Sequence, residues 1–177
     1  MKPSFVLYRL LTFILLPLAG LIALNLVGIL PAAFANPMLL IIVFLMFTII
    51  AYTFASFIFL TRGLVNKKPL KPSLKDWVKI NAYISIACAV YCILSIIVYY
   101  SSRDAQKMMT DNLPKMQAAM GISGKNAMDT ATFMRMVNGT MALFGGYFVL
   151  LSVHIIVTLR LVKKNASLFG NAGTSSN

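Results

Sequence analysis

Residues 10–61 read LLTFILLPLAGLIALNLVGILPAAFANPMLLIIVFLMFTIIAYTFASFIFLT. These 52 positions contain no Lys, Arg, Asp, Glu or His. A helix crossing the hydrocarbon core of a bilayer needs about 20 apolar residues, so the stretch is too long for one crossing. In its middle sits Pro31-Ala-Ala-Phe-Ala-Asn-Pro37. Proline lacks an amide donor and clashes with the preceding turn, so this cluster is expected to be a tight turn. The reading is a transmembrane hairpin, with one span over residues 10–30 and a second over 38–60.

Composition agrees with an apolar surrounding. Hydrophobic residues make up 59% of the 177 and charged ones 11%, and the mean hydropathy is +0.83. A soluble domain carries roughly 25% charged residues, so this chain could not cover its own surface with polar groups. Sixteen Lys and Arg stand against four acids, Asp76, Asp104, Asp111 and Asp129, with no Glu. The basic residues bracket the apolar segments, the pattern of topology control and anionic-lipid contact rather than of nucleic-acid binding.

Working outward, the segment before Leu10 carries Lys2 and Arg9. A positive start followed by an apolar run and Ala33-Phe34-Ala35 also resembles a signal peptide cleaved after Ala35. The apolar run is, however, longer than the 7–15 residues usual for such peptides, and an uncleaved first span is expected. Pro17 and Gly20 suggest a kink or a close-packing point in it, and Asn25 is its strongly polar group. Ala51 and Ala55 give the second span a small-residue pair suited to helix contact.

The linker after the hairpin is basic: Arg62, Lys67, Lys68, Lys71, Lys75 and Lys79 against Asp76 alone. These six are expected to set topology and to meet anionic lipid headgroups, each contributing about 1 kcal/mol near the surface. Ser73-Leu-Lys-Asp76 has the spacing of a capping box, which puts a third helix start near Ser73 with Trp77 at headgroup level. Its span covers residues 80–100. A fourth covers 137–159, with Gly139, Ala142 and Gly146 as a small-residue edge for helix packing.

Between them, residues 101–136 hold seven of the eleven methionines. Ala105, Met109, Leu113, Met116 and Met120 recur at helical spacing, which predicts an amphipathic helical cap broken or restarted at Pro114 and ended at Gly121 or Gly124. A helix is expected again from about Asn126. The thioethers, including the pairs Met116/Met120 and Met134/Met136, are also soft ligands of the kind that suit Cu(I).

The fold expected is an all-α integral membrane four-helix bundle with an amphipathic helical outer loop. It forms one domain over residues 1–165, followed by a disordered cytoplasmic tail over 166–177. With both termini inside, eleven of the basic residues lie on the inner side and five, Arg103, Lys107, Lys115, Lys125 and Arg135, on the outer side. By the positive-inside rule both ends face the cytoplasm, in a cell membrane of the bacterial inner-membrane kind.

Candidate chemistry is sparse. Cys88 and Cys92, four apart, share a helix face, but a reactive thiolate needs an electropositive or exposed setting, and packing is expected instead. His154, the single histidine, lies about 9 Å along its helix from Arg160, at a depth comparable to Ser85. A hydrogen bond between those two helices is expected, making Asn25, Ser85 and His154 the intramembrane polar residues. An ionisable residue inside a span also raises a functional reading. The sequons at Asn138 and Asn165 are assigned no sugar, the first being pressed against the membrane and the second cytoplasmic. No carboxylate lies in a span and no Ser–His–Asp set can be assembled at one depth, so no catalytic residue, cofactor or metal site is assigned. The expected function is a non-enzymatic membrane subunit or accessory protein acting through helix faces and the outer loop. Its partners would be anionic lipids and another membrane protein or a second copy, with no nucleic acid. The alternative is a small transporter or metal-handling protein that uses the methionine loop or His154.

Overall fold

The computed structural model describes residues 3–119 and 128–170. Among these there is no strand, and the chain is an all-α bundle built on four long apolar helices. In order these are α1 (Pro3–Ala35), α2 (Pro37–Ile58), α3 (Pro72–Ser101) and, after two short helices α4 (Arg103–Asp111) and α5 (Leu113–Ala119), α6 (Thr130–Lys164). All four are long and apolar enough to cross a membrane. At 1.5 Å per residue a 30-residue helix extends about 45 Å, well beyond the ~30 Å hydrocarbon core. So α1, α3 and α6, with 33, 30 and 35 residues, run past the spans read from hydropathy, whereas α2, with 22, matches its span closely.

The hairpin turn is tighter than the seven-residue cluster suggested. α1 passes through Pro17 and Pro31 to Ala35, and Asn36 is the one non-helical residue before α2. Asn36 N–H donates to Ala32 C=O at 3.1 Å, closing α1, and Leu39 N–H donates to Asn36 C=O at 3.0 Å, opening α2. Pro37 occupies the first helical position, where a missing amide costs nothing and the fixed φ helps. Proline marks the turn, but only the second of the pair sits at it.

Contacts group the described chain into two compact units. The first comprises residues 1–89 and 150–177, with α1, α2, the start of α3 and the end of α6. Here α2 continues into a π-helical turn, Phe59–Val65, so Arg62 belongs to a helix and not to an extended linker. Asn66 N–H closes that turn on Thr61 C=O at 3.2 Å, and Lys68 N–H reaches Arg62 C=O at 2.9 Å. Between them Lys67 takes φ of 50°, the left-handed conformation that ends many helices. α3 begins at Pro72, one residue before the expected serine. Proline again takes the first position, which makes Ser73 the second helical residue and not the cap.

The C-terminal end also departs from expectation. Residues 166–169 form a 3-10 turn where a disordered tail was expected. Leu70 N–H donates to Leu168 C=O at 2.8 Å, and Phe169, 5% exposed, stacks on Phe59 with centroids 5.5 Å apart. Gly63 lies beside this contact, and a Cβ there would come within 2.7 Å of Leu70. The Gly/Ser/Asn composition hid one aromatic with a buried ring to meet. Residues 171–177 lie outside the described chain.

The second unit, residues 90–149, contains the segment between α3 and α6 expected from the sequence to form the outer loop. Its core is Tyr99, Leu113, Phe133 and Val137, with Met109, Met134 and Met141 packed against it. The stripe expected along the loop is thus present at Met109 and Leu113, and Pro114 restarts the helix at α5 after a break at Asn112. Met120, Gly121, Gly124 and Asn126 lie outside the described residues. Ser102 caps α4 by accepting from Ala105 N–H at 3.2 Å. Asp129 caps α6, accepting from Thr132 N–H at 2.9 Å and from its hydroxyl at 2.7 Å. These bonds hold the Asp129 carboxyl below its ordinary value of 3.8. Because the folded value is depressed, the cap contributes above the ordinary carboxylate range and is lost as pH falls through the folded value.

The Phe169 contact gives a direct test of the tail. Phe169→Ala should lower stability in detergent by about 3 kcal/mol, the usual cost of emptying a buried aromatic site. Unfolding followed by circular dichroism measures it, and a change within about 0.5 kcal/mol would show that the turn is not anchored.

Candidate functional site: a histidine-centred polar core

Three helices of the first unit each bring a pair of polar side chains spaced by four residues: Tyr8 and Thr12 on α1, Tyr52 and Ser56 on α2, His154 and Thr158 on α6. Four-residue spacing places both members of a pair on one helix face. All six are fully buried. Their surroundings are apolar, with Leu15, Phe59, Leu151 and Ile155 equally inaccessible, so the six must satisfy one another.

His154 is the hub. Its Nε2 lies 2.9 Å from Thr12 Oγ1 and its Nδ1 2.8 Å from the Tyr52 hydroxyl. Tyr52 also lies 2.9 Å from Thr158 Oγ1. The imidazole is sandwiched as well as bonded: the Tyr8 ring stacks on it at 5.0 Å and 17°, and the Tyr52 ring meets it edge-on at 5.6 Å. Tyr8 extends the cluster by donating to Ser56 C=O at 2.9 Å, with Ser56 Oγ 2.6 Å from the same hydroxyl.

Counting protons shows how the hub works. Thr12 donates to Tyr8 C=O at 2.8 Å and Thr158 donates to His154 C=O at 2.7 Å. With the two contacts of the ring and the Tyr52–Thr158 contact, five contacts surround the imidazole, whereas a neutral ring and three hydroxyls supply four protons. One of the five contacts therefore lacks a proton in any neutral arrangement, and which one depends on the ring nitrogen protonated and on where the Tyr52 proton points. The Thr12 and Thr158 hydroxyls end on helix carbonyls, Tyr8 C=O and His154 C=O. The cluster is a clasp that ties α1, α2 and α6 together. Thr12 is only three residues, about 4.5 Å of helix, past Arg9, so the clasp sits toward the basic end of these helices.

The residues singled out by sequence fare unevenly. His154 is central, but its partners are Thr12 and Tyr52 and not Ser85. Ser85 is buried with no hydrogen-bond partner for its hydroxyl, both ring nitrogens of His154 being engaged by Thr12 and Tyr52. Asn25 is exposed and bonds back to Leu21 C=O at 2.9 Å. Ala55 is buried and Ala51 half-buried in the first unit. Gly139, Ala142 and Gly146 are exposed, and a Cβ built at Gly139 or Gly146 meets nothing within 4 Å. In the second unit it is Gly145 that faces a neighbour, Ile96, at 3.7 Å. Cys88 is buried and Cys92 half-buried, and they form no disulfide. Among the described residues no group of three or more His, Cys, Asp or Glu converges. Of the linker bases, Lys75 and Lys79 are half-buried while Lys67, Lys68 and Lys71 are exposed.

Interhelical hydrogen bonds in membrane proteins contribute about 0.6 kcal/mol on average and up to about 1.7. Tyr52→Phe, which removes contacts to both His154 and Thr158, should therefore cost about 1–2 kcal/mol, and Thr12→Val about 1 kcal/mol. Because both act through one imidazole, the double variant should cost measurably less than the sum. Strict additivity in denaturant unfolding would show that the two arms are not coupled. Compared with known protein families, with curated proteins and with solved structures, the chain matches none.

Proposed function

We propose that this chain is a non-enzymatic multi-pass membrane protein, both ends cytoplasmic, that serves as a subunit or accessory partner of another membrane protein or of a second copy of itself. The observation that carries the reading is Asn25, an exposed amide in the otherwise apolar stretch of α1 that follows Thr12. Exposed Leu21, Leu24 and Val27 surround it, and one turn on is Gly28, beside which a Cβ would meet nothing. A polar group at such a depth is costly against lipid and characteristically faces protein. An amide beside a glycine offers what helix association in a membrane uses, close backbone approach and a hydrogen bond. The exposed edge Gly139, Ala142 and Gly146 on α6 has the same character. The polar core, by contrast, is fully buried and its threonine hydroxyls donate to backbone carbonyls, which suits holding helices better than handling a substrate. The eleven-to-five division of basic residues supports the orientation.

The test is association in mild detergent. Tagged chain expressed in its native membrane should copurify with a stoichiometric partner or as an oligomer. Asn25→Leu and Gly28→Ile should each weaken that association at least tenfold while leaving helicity unchanged. A chain that stays monomeric and partnerless in light scattering, with the variants indistinguishable from the parent, would refute the reading.

A further inference from the structure

Near the ends of α3 and α6 that carry basic residues lies a cavity of about 430 Å³. Four cations line it: Lys75 and Lys79 from α3, Arg160 and Lys163 from α6. Spacings of four and three residues put each pair on one face of its helix. No acidic side chain lines the cavity. Asp76, adjacent in sequence, lines a separate cavity with Trp77. Four positive charges thus line one space with no acidic side chain among them; Lys75 and Lys79 are half-buried, and Arg160 and Lys163 are exposed at its mouth. Like charges gathered this closely repel one another, the more so where they are partly withdrawn from water, so the arrangement favours an anion.

The remaining wall says which anion. Tyr83 lies one helical turn beyond Lys79, with 61% of its surface exposed, and Leu159 precedes Arg160; both line the cavity. An apolar wall therefore leads from the cations along the span. A small soluble anion would use only the charged end. We propose that this cavity is a binding site for the phosphate headgroup of an anionic lipid, with Lys75, Lys79, Arg160 and Lys163 around the phosphate and the acyl chains along Tyr83 and Leu159. Arginine can hold such a phosphate by two parallel hydrogen bonds while the lysines act as point charges. The proposal is independent of the association reading above, and it narrows the basic linker to Lys75 and Lys79 while adding two cations of α6 that the linker does not contain.

The full chain, purified in mild detergent and titrated in native mass spectrometry, provides the test. Dioleoylphosphatidylglycerol should bind one per chain, at least tenfold more tightly than dioleoylphosphatidylcholine. Lys75→Gln/Lys79→Gln and Arg160→Gln/Lys163→Gln should each weaken phosphatidylglycerol by more than tenfold, since each removes two charges that would contact the phosphate directly. Lys67→Gln/Lys68→Gln, which makes the same charge change outside the cavity, should weaken it less than threefold. Lys75→Arg/Lys79→Arg should retain binding, which guards against a glutamine variant that fails to fold. Equal losses in the cavity and control variants would reduce the effect to diffuse surface charge and overturn the site. Equal binding of the two lipids would do the same. Inorganic phosphate at millimolar concentration displacing phosphatidylglycerol from the parent would assign the cavity to a soluble anion and overturn the lipid.

Discussion

A polar group with no water beside it must find its partner within the protein, and that requirement is met in this chain by one imidazole. His154 holds Thr12 of α1 through one nitrogen and Tyr52 of α2 through the other. Apolar packing alone gives helices little reason to choose one rotation over another when the solvent is itself hydrocarbon. Three polar pairs that can be satisfied only together supply that choice. The clasp fixes which faces of α1, α2 and α6 meet, and hence which faces are left outward. The outward features at Asn25 and along the basic end of α6 follow from that rotation.

The clasp also shows how a histidine is accommodated in an apolar bundle. An imidazole is useful in catalysis when it exchanges protons with substrate or solvent. Here its two nitrogens face the Thr12 and Tyr52 hydroxyls, the Tyr8 ring stacks on it and the Tyr52 ring meets it edge-on. The ring is a three-way connector. Its value lies in offering one donor and one acceptor in a fixed plane, which no aliphatic side chain can do.

How much of this could be read from the sequence depends on the kind of information involved. The uncharged run from Leu10 to Thr61 determines two apolar helices, and hydropathy needs nothing further to find them. Their ends were less legible: Pro31 stays inside α1, because a helix ending a few residues later tolerates it, and Pro37 begins α2. His154 stood out as the single ionisable group within a span, but choosing Ser85 as its partner used depth alone. Depth follows from residue counting along one helix, whereas partnership depends on rotation, which counting does not supply. A signal was present in the paired spacings Tyr8/Thr12, Tyr52/Ser56 and His154/Thr158, each a polar face on an apolar helix. Gly139, Ala142 and Gly146 are a different case: small residues mark a face that could pack, and in this structure that face is outward. Phe169 was lost to its polar neighbours, since composition averages over the one residue that anchors the turn.

His154 is the protein's only histidine, so selective ¹⁵N-histidine labelling reports on the clasp alone. The decisive measurement is the pair of ring-nitrogen resonances in bilayers for the parent, Thr12→Val and Tyr52→Phe. The account predicts that Thr12→Val moves chiefly the Nε2 signal and Tyr52→Phe chiefly the Nδ1 signal, with ring protons in the parent exchanging slowly with deuterated water. Ring resonances indifferent to both substitutions, with exchange as fast as in an exposed imidazole, would contradict it.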